Sequence, residues 1–168
     1  MVARGPGRRE VLAGLAVLAV AGPARAETIV DLGWKDLLPE GEVPVPRDLQ
    51  SLLPHDESAM AAGQPASTGV RTDWNGQIVR MSGFIVPIDF DGAGVTAFIL
   101  VPYVGACVHV PPPPANQLVL VTAPEPYESD GMFEAVTVTG MFGTAATSTQ
   151  LADIGYALSA EDIAPYAY

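Results

Sequence analysis

The chain has 168 residues and a net charge of −11, from eight basic against nineteen acidic side chains. That balance argues against nucleic acid and anionic lipid surfaces as partners, since nothing offsets phosphate repulsion, and it leaves cationic, metallic or neutral ones. A single cysteine excludes an internal disulfide, so core packing must hold the fold without that help.

At the amino end, Arg4, Arg8 and Arg9 precede an apolar run over residues 11–21, and Ala24, Arg25 and Ala26 supply the small residues of a signal-peptidase site. We expect residues 1–26 to be removed on export to the periplasm or beyond. The apolar run is about half the length a bilayer-spanning helix needs, and no later segment is long and uninterrupted enough, so the mature chain should carry no transmembrane segment. Arg8 and Arg9 followed by Glu10, Val11 and Leu12 resemble the twin-arginine export motif, whose route carries folded proteins. Cleavage would leave four basic and eighteen acidic residues, a net charge of −14, on a chain long enough for one domain.

Residues 27–69 read as a proline-rich arm, interrupted by Pro39, Pro44, Pro46, Pro54 and Pro65. Trp34, Leu37 and Leu38 suit one face of a short helical turn. Exposed, they would be a sticky patch, so we expect them to lie across the following domain. Residues 59–68, rich in Ala and Gly, suggest a joint.

From residue 70 the pattern turns to strands. Residues 79–88 and 95–101 flank Asp91 and Gly92, a hairpin turn signal. Asp89, Asp91 and Gly92 are too closely spaced for a calcium loop. Further strands are expected at 117–121, at 135–142 and from Tyr156 to Leu158, with Ile163 and Tyr166 beyond. Gly83 and Gly140 stand inside strand patterns, where glycine marks a bulge or bend. The expected fold of residues 70–168 is mainly β, a small five-stranded barrel of the oligonucleotide/oligosaccharide-binding type, with an antiparallel sandwich as the alternative.

The chemistry-bearing stretch is Gly105, Ala106, Cys107, Val108, His109, Val110, then Pro111, Pro112, Pro113 and Pro114, then Ala115, Asn116 and Gln117. In extended backbone Cys107 and His109 point to one face. A bound metal would keep the thiol as thiolate and shield it from an oxidising compartment, and thiolate with imidazole suits zinc or copper. Zinc wants about four ligands. His55, with Asp56 and Glu57 in the arm, could add to the set. Asn116 and Gln117 can serve backbone groups of a loop that has no proline N–H donors.

The plainer reading makes Cys107 a small buried hydrophobe. A catalytic Cys107–His109 dyad would need an orienting third group and oxyanion donors, and neither stands out.

Several of these segments resemble a family. Trp34 to Pro39, Gly83 to Pro87, Phe98 to Tyr103, the Cys107–His109–polyproline stretch, and Gly155 to Leu158 with Pro165 and Tyr166 are similar to the bacterial domain of unknown function 3299. The resemblance implies a small exported protein without an established activity, lipid-anchored in some relatives and found near transport systems that include metal-linked ones. This chain lacks the lipid-anchor cysteine. The expected function is a non-enzymatic binding or accessory protein, holding a transition metal or supporting a membrane transport complex through the Cys107–His109 loop. A thiol-dependent enzyme and a structural interaction domain are the alternatives.

Overall fold

The computed structural model describes residues 1, 28–42, 63–106 and 112–167. Among the described residues six strands follow one another: β1 (Val30–Leu32), β2 (Ile78–Asp91), β3 (Gly94–Val101), β4 (Val119–Tyr127), β5 (Ala135–Ser148) and β6 (Asp153–Pro165). Their order is β1-β2-β3-β4-β6-β5, and β5 also pairs with β2. The ring β2-β3-β4-β6-β5 is therefore closed, with one extra strand, β1, laid parallel on β2 from Val30 opposite Val79 to Leu32 opposite Met81. All ring pairings are antiparallel except β4 with β6. The chain is thus a five-stranded barrel of the oligonucleotide/oligosaccharide-binding kind.

The barrel closes because β2 serves two neighbours. Its first half, Ile78 to Phe84, pairs with β5, and its second half, from Phe84 on, pairs with β3. At the changeover sits Gly83, where an added Cβ would lie 2.8 Å from the Val101 carbonyl and 2.9 Å from the Trp34 ring. Gly140 marks the second irregularity, a register shift between β5 and β6 where a Cβ would strike the Ser159 carbonyl. A side chain fits at neither position.

Strand alternation sends two sets of apolar residues to opposite faces. Val95, Phe98 and Leu100 of β3 point inward, with Val79, Met81 and Ile85 of β2, Val119 and Val121 of β4, Val136, Val138 and Phe142 of β5, and Tyr156 and Leu158 of β6. Ile99 and Val101 point outward and are buried too, beneath Ala106, Leu118, Ala152 and Ile154, with Tyr103, Phe133 and Leu151 packed alongside. The barrel has a core inside and a second apolar layer outside β3.

The segment before β2 packs on this frame. Trp34–Leu37 is a 3₁₀ turn whose first N–H groups are approached by Asp36, which accepts from the Gly33 N–H at 2.8 Å. Leu37 and Leu38 are buried, and Trp34 lies against the inner core with its indole N–H donating to the Ser82 carbonyl at 2.9 Å. The sticky patch expected from the sequence is covered by the barrel.

Candidate functional site

Cys107, His109 and Pro111 lie outside the described residues, as does His55; the described part of the candidate loop is its two ends. β3 leaves the barrel at Val101, passes Gly105 in left-handed backbone (φ 93°) and reaches the fully buried Ala106. The chain is described again from Pro112. Pro112 and Pro113 are buried, and Pro114 leads into a second 3₁₀ turn, Ala115–Gln117, in which the Gln117 N–H donates to the Pro114 carbonyl at 2.8 Å.

A run of prolines supplies carbonyls and no N–H groups, so this end is satisfied by side-chain amides from elsewhere. Gln64 donates through Nε2 to the carbonyls of Pro113 (2.8 Å) and Asp153 (2.9 Å), and its Oε1 accepts from the Asp153 N–H at 2.8 Å. One glutamine thereby ties the residues before β2, the proline run and the start of β6 together.

Asn116 and Gln117 are the buried polar side chains among the described residues, and both reach carbonyls outside the loop that carries them. Asn116 Nδ2 donates to the Gly69 carbonyl (3.0 Å). Gln117 Nε2 donates to the Trp34 carbonyl (2.9 Å) and to the carbonyl of Asn116 (3.0 Å). The sequence led us to expect these amides to serve their own loop. Among the described residues the Gln117 to Asn116 bond does so, and the other two bonds go to carbonyls of the segments before β2. Asn116 Oδ1 is buried without a partner, an acceptor that a water or a ligand N–H would satisfy.

Tyr156, which in the sequence reads as one more strand aromatic, completes this end of the barrel. Its hydroxyl donates to the Leu37 carbonyl and accepts from the Arg71 N–H, both at 2.7 Å, while its ring stacks on Phe142. Burial pushes the phenol's pKa up, against an opposing pull from the Arg71 N–H bond. Arg71 itself pairs with Asp73 at 2.9 Å, which raises the guanidinium and lowers the carboxyl, and it stacks over Trp74. The residues ahead of β2 are thus held to the barrel by Tyr156, Asn116, Gln117 and Gln64.

Among the described residues no three His, Cys, Asp or Glu side chains converge as a metal site, and no helix is long and apolar enough to cross a membrane. The geometry defines a closed oligonucleotide/oligosaccharide-binding-type barrel, with its long β3–β4 connection tied down at both ends. The chain belongs to the family of proteins of unknown function DUF3299, whose model matches residues 34–165. The crystal structure of a DUF3299 family protein from Pseudomonas aeruginosa PAO1 is similar to it, with a TM-score of 0.72 and 36% sequence identity over 84% of this chain and 98% of that one. No curated protein matches the chain.

Proposed function

We propose that this is an exported bacterial accessory protein that binds a transition-metal ion, zinc or copper, through the Cys107–His109 loop, in support of a membrane transport system. The observation that carries the reading is a lone thiol two residues from an imidazole, in the five residues between Ala106 and Pro112, both of them buried. Fixed ends lower the ordering cost of binding. The stretch from Gly105 to Gln117, with Pro111, Pro112, Pro113, Pro114, Asn116 and Gln117 as its proline-rich half, is on this reading the working element of the family. His55 is a candidate further ligand.

Export is supported by the Arg8–Arg9 pair and by the small residues around Ala26. Nucleic acid is disfavoured as a partner by charge. It is disfavoured also because the outer face of β3, the usual strand-binding surface of such barrels, is covered by the chain's own Ala106, Leu118 and Ile154.

Elemental analysis of protein exported by the native route tests the proposal, with stoichiometric zinc or copper expected. Cys107→Ser and His109→Ala should each lower metal affinity by about tenfold or more. Alkylation of Cys107 should be slow in the metal-bound protein and fast after chelation. Fast labelling without chelation would instead indicate a nucleophilic thiol, and equally slow labelling with no metal a structural one.

A further inference from the structure

The opposite ends of β3 and β4 carry a surface of a different character. Phe90 on β2 stands opposite Val95 on β3, which stands opposite Tyr127 on β4. Residues opposed in this way share a face. Val95 belongs to the inner core and Tyr127 packs against it, so Phe90 continues the core's apolar row outward, where it is 57% exposed. Ile88, displaced by the bulge between Pro87 and Asp89, adds a second exposed aliphatic group. Backbone contact stiffens this lip: Gly94 lies against Pro126 too closely to admit a Cβ.

Every formal charge beyond Arg80 on the strands that build the lip, and in the β4–β5 connection beside it, is negative. Asp89, Asp91, Glu125, Glu128 and Asp130 are exposed. The sequence after Arg80 contains no lysine or arginine at all, although it holds nine Asp and Glu. The described basic residues, Lys35, Arg71 and Arg80, sit in the segment before β2 or at its start. Arg80 is ten residues from Phe90, about 30 Å of strand. Glu134 does not contribute a free carboxylate, since it accepts from the Tyr127 and Ser129 hydroxyls (both 2.7 Å) and from the Asp130 N–H (2.9 Å), which fixes the β4–β5 connection beside the lip.

We infer that this lip is a docking surface for a basic amphipathic segment of a partner protein, with Phe90 and Ile88 covered by its apolar face and the surrounding carboxylates met by its lysines or arginines. An exposed aromatic in an acidic frame selects for that chemistry: anionic lipid is repelled, zwitterionic lipid has no net positive charge, and a purely charged partner would leave Phe90 in water. The surface lies at the far end of β3 and β4 from Ala106 and Pro112, and none of its residues belongs to the Gly105–Gln117 stretch, so it stands or falls independently of the metal reading.

The test uses the purified full chain and a labelled peptide of about eighteen residues, built of Lys and Leu at helical amphipathic spacing. Its controls are a scrambled isomer of the same composition and neutral and anionic vesicles. Fluorescence anisotropy should report binding of the amphipathic peptide, with the isomer bound at least about tenfold more weakly. Phe90→Ser should cost roughly tenfold in affinity, and the double change Asp89→Asn with Asp91→Asn should weaken binding and flatten its salt dependence. Met141→Ser, at an exposed methionine of β5 that pairs with Ile78 at the start of β2, serves as the control and should change nothing. Equal binding of the isomer, an unaffected Phe90→Ser protein, an equal loss in Met141→Ser, or preferential binding to vesicles would each overturn the inference.

Discussion

Strands β3 and β4 are finished differently at their two ends. Where β3 stops and β4 starts, polar side chains do the holding: Gln64, Asn116, Gln117 and Tyr156 bond to backbone of distant segments, and Ala106, Leu118 and Ile154 are buried beneath them. Where β3 starts and β4 stops, the apolar row runs out to an exposed Phe90, and Asp89, Asp91, Glu125, Glu128 and Asp130 around it are exposed to water. The first end has its surface covered by its own chain, and the second leaves it uncovered. Stability should therefore be concentrated at the first, and tolerance to change at the second.

Substitution at the tied end should have the largest effect. Gly155 lies where an added Cβ would be 2.8 Å from both the Ala115 carbonyl and Val70, so Gly155→Ala must push β6 off the 3₁₀ turn that carries Asn116 and Gln117. The expected cost is about 3 kcal/mol in a denaturant titration. A smaller loss would mean that this end is looser than its bonds suggest.

Tyr156→Phe comes next. It leaves the Leu37 carbonyl without its donor and the Arg71 N–H without its acceptor at a cost of about 2 kcal/mol, with the ring packing on Phe142 kept. The same hydroxyl gives a pH signature. Tyr156 and Tyr127 both have raised phenol pKa values, chiefly from burial, with Glu134 adding at Tyr127. Above the unfolded value of about 10 the unfolded chain holds fewer protons than the folded one, so their contribution is complete below that pH and is lost as pH rises through the folded values. Stability should fall above about pH 10, and ultraviolet titration should find these two phenols ionising only as the protein unfolds. Tyr156→Phe should remove part of that alkaline slope.

The smallest effect belongs to the lip, where Phe90→Ser should change stability by no more than about 0.5 kcal/mol, since the ring covers little. A larger loss would show that Phe90 packs as part of the core and would erase the contrast between the ends.

Strands are legible in this sequence where alternation coincides with a turn pair. The stretches expected at 79–88 and 95–101 are β2 and β3, and they extend to Asp91 and Gly94 because the turn between needs two residues only. The expected strand at 117–121 runs on as β4 to Tyr127 through Pro124 and Pro126, which read as stops. They are tolerated because pairing with β6 ends at Thr122, beyond which that side of β4 is a sheet edge. β1 is invisible in the sequence, since three residues have no period.

For the candidate site, residue chemistry was readable and direction was not. A donor-poor proline run announces that amides are needed, but which carbonyls Asn116 and Gln117 reach depends on a strand order that local pattern does not encode. The Cys107–His109 pair rests on the sequence. The lip was hidden because its Phe90 looks like any strand aromatic until β2, β3 and β4 are set in register.

The bond from Tyr156 to Leu37 spans 119 positions, and its two partners are made far apart in time. At about 5–20 residues per second, Leu37 leaves the ribosome on the order of ten seconds before the strand that holds it. β6 is also the piece that joins β4 to β5, so the ring cannot close earlier. Throughout synthesis Trp34, Leu37 and Leu38 have no finished surface to cover. A nascent chain of this protein carries an open apolar segment near its amino terminus until its last strand is complete, and the same event that shuts the barrel removes that segment from the reach of chaperones.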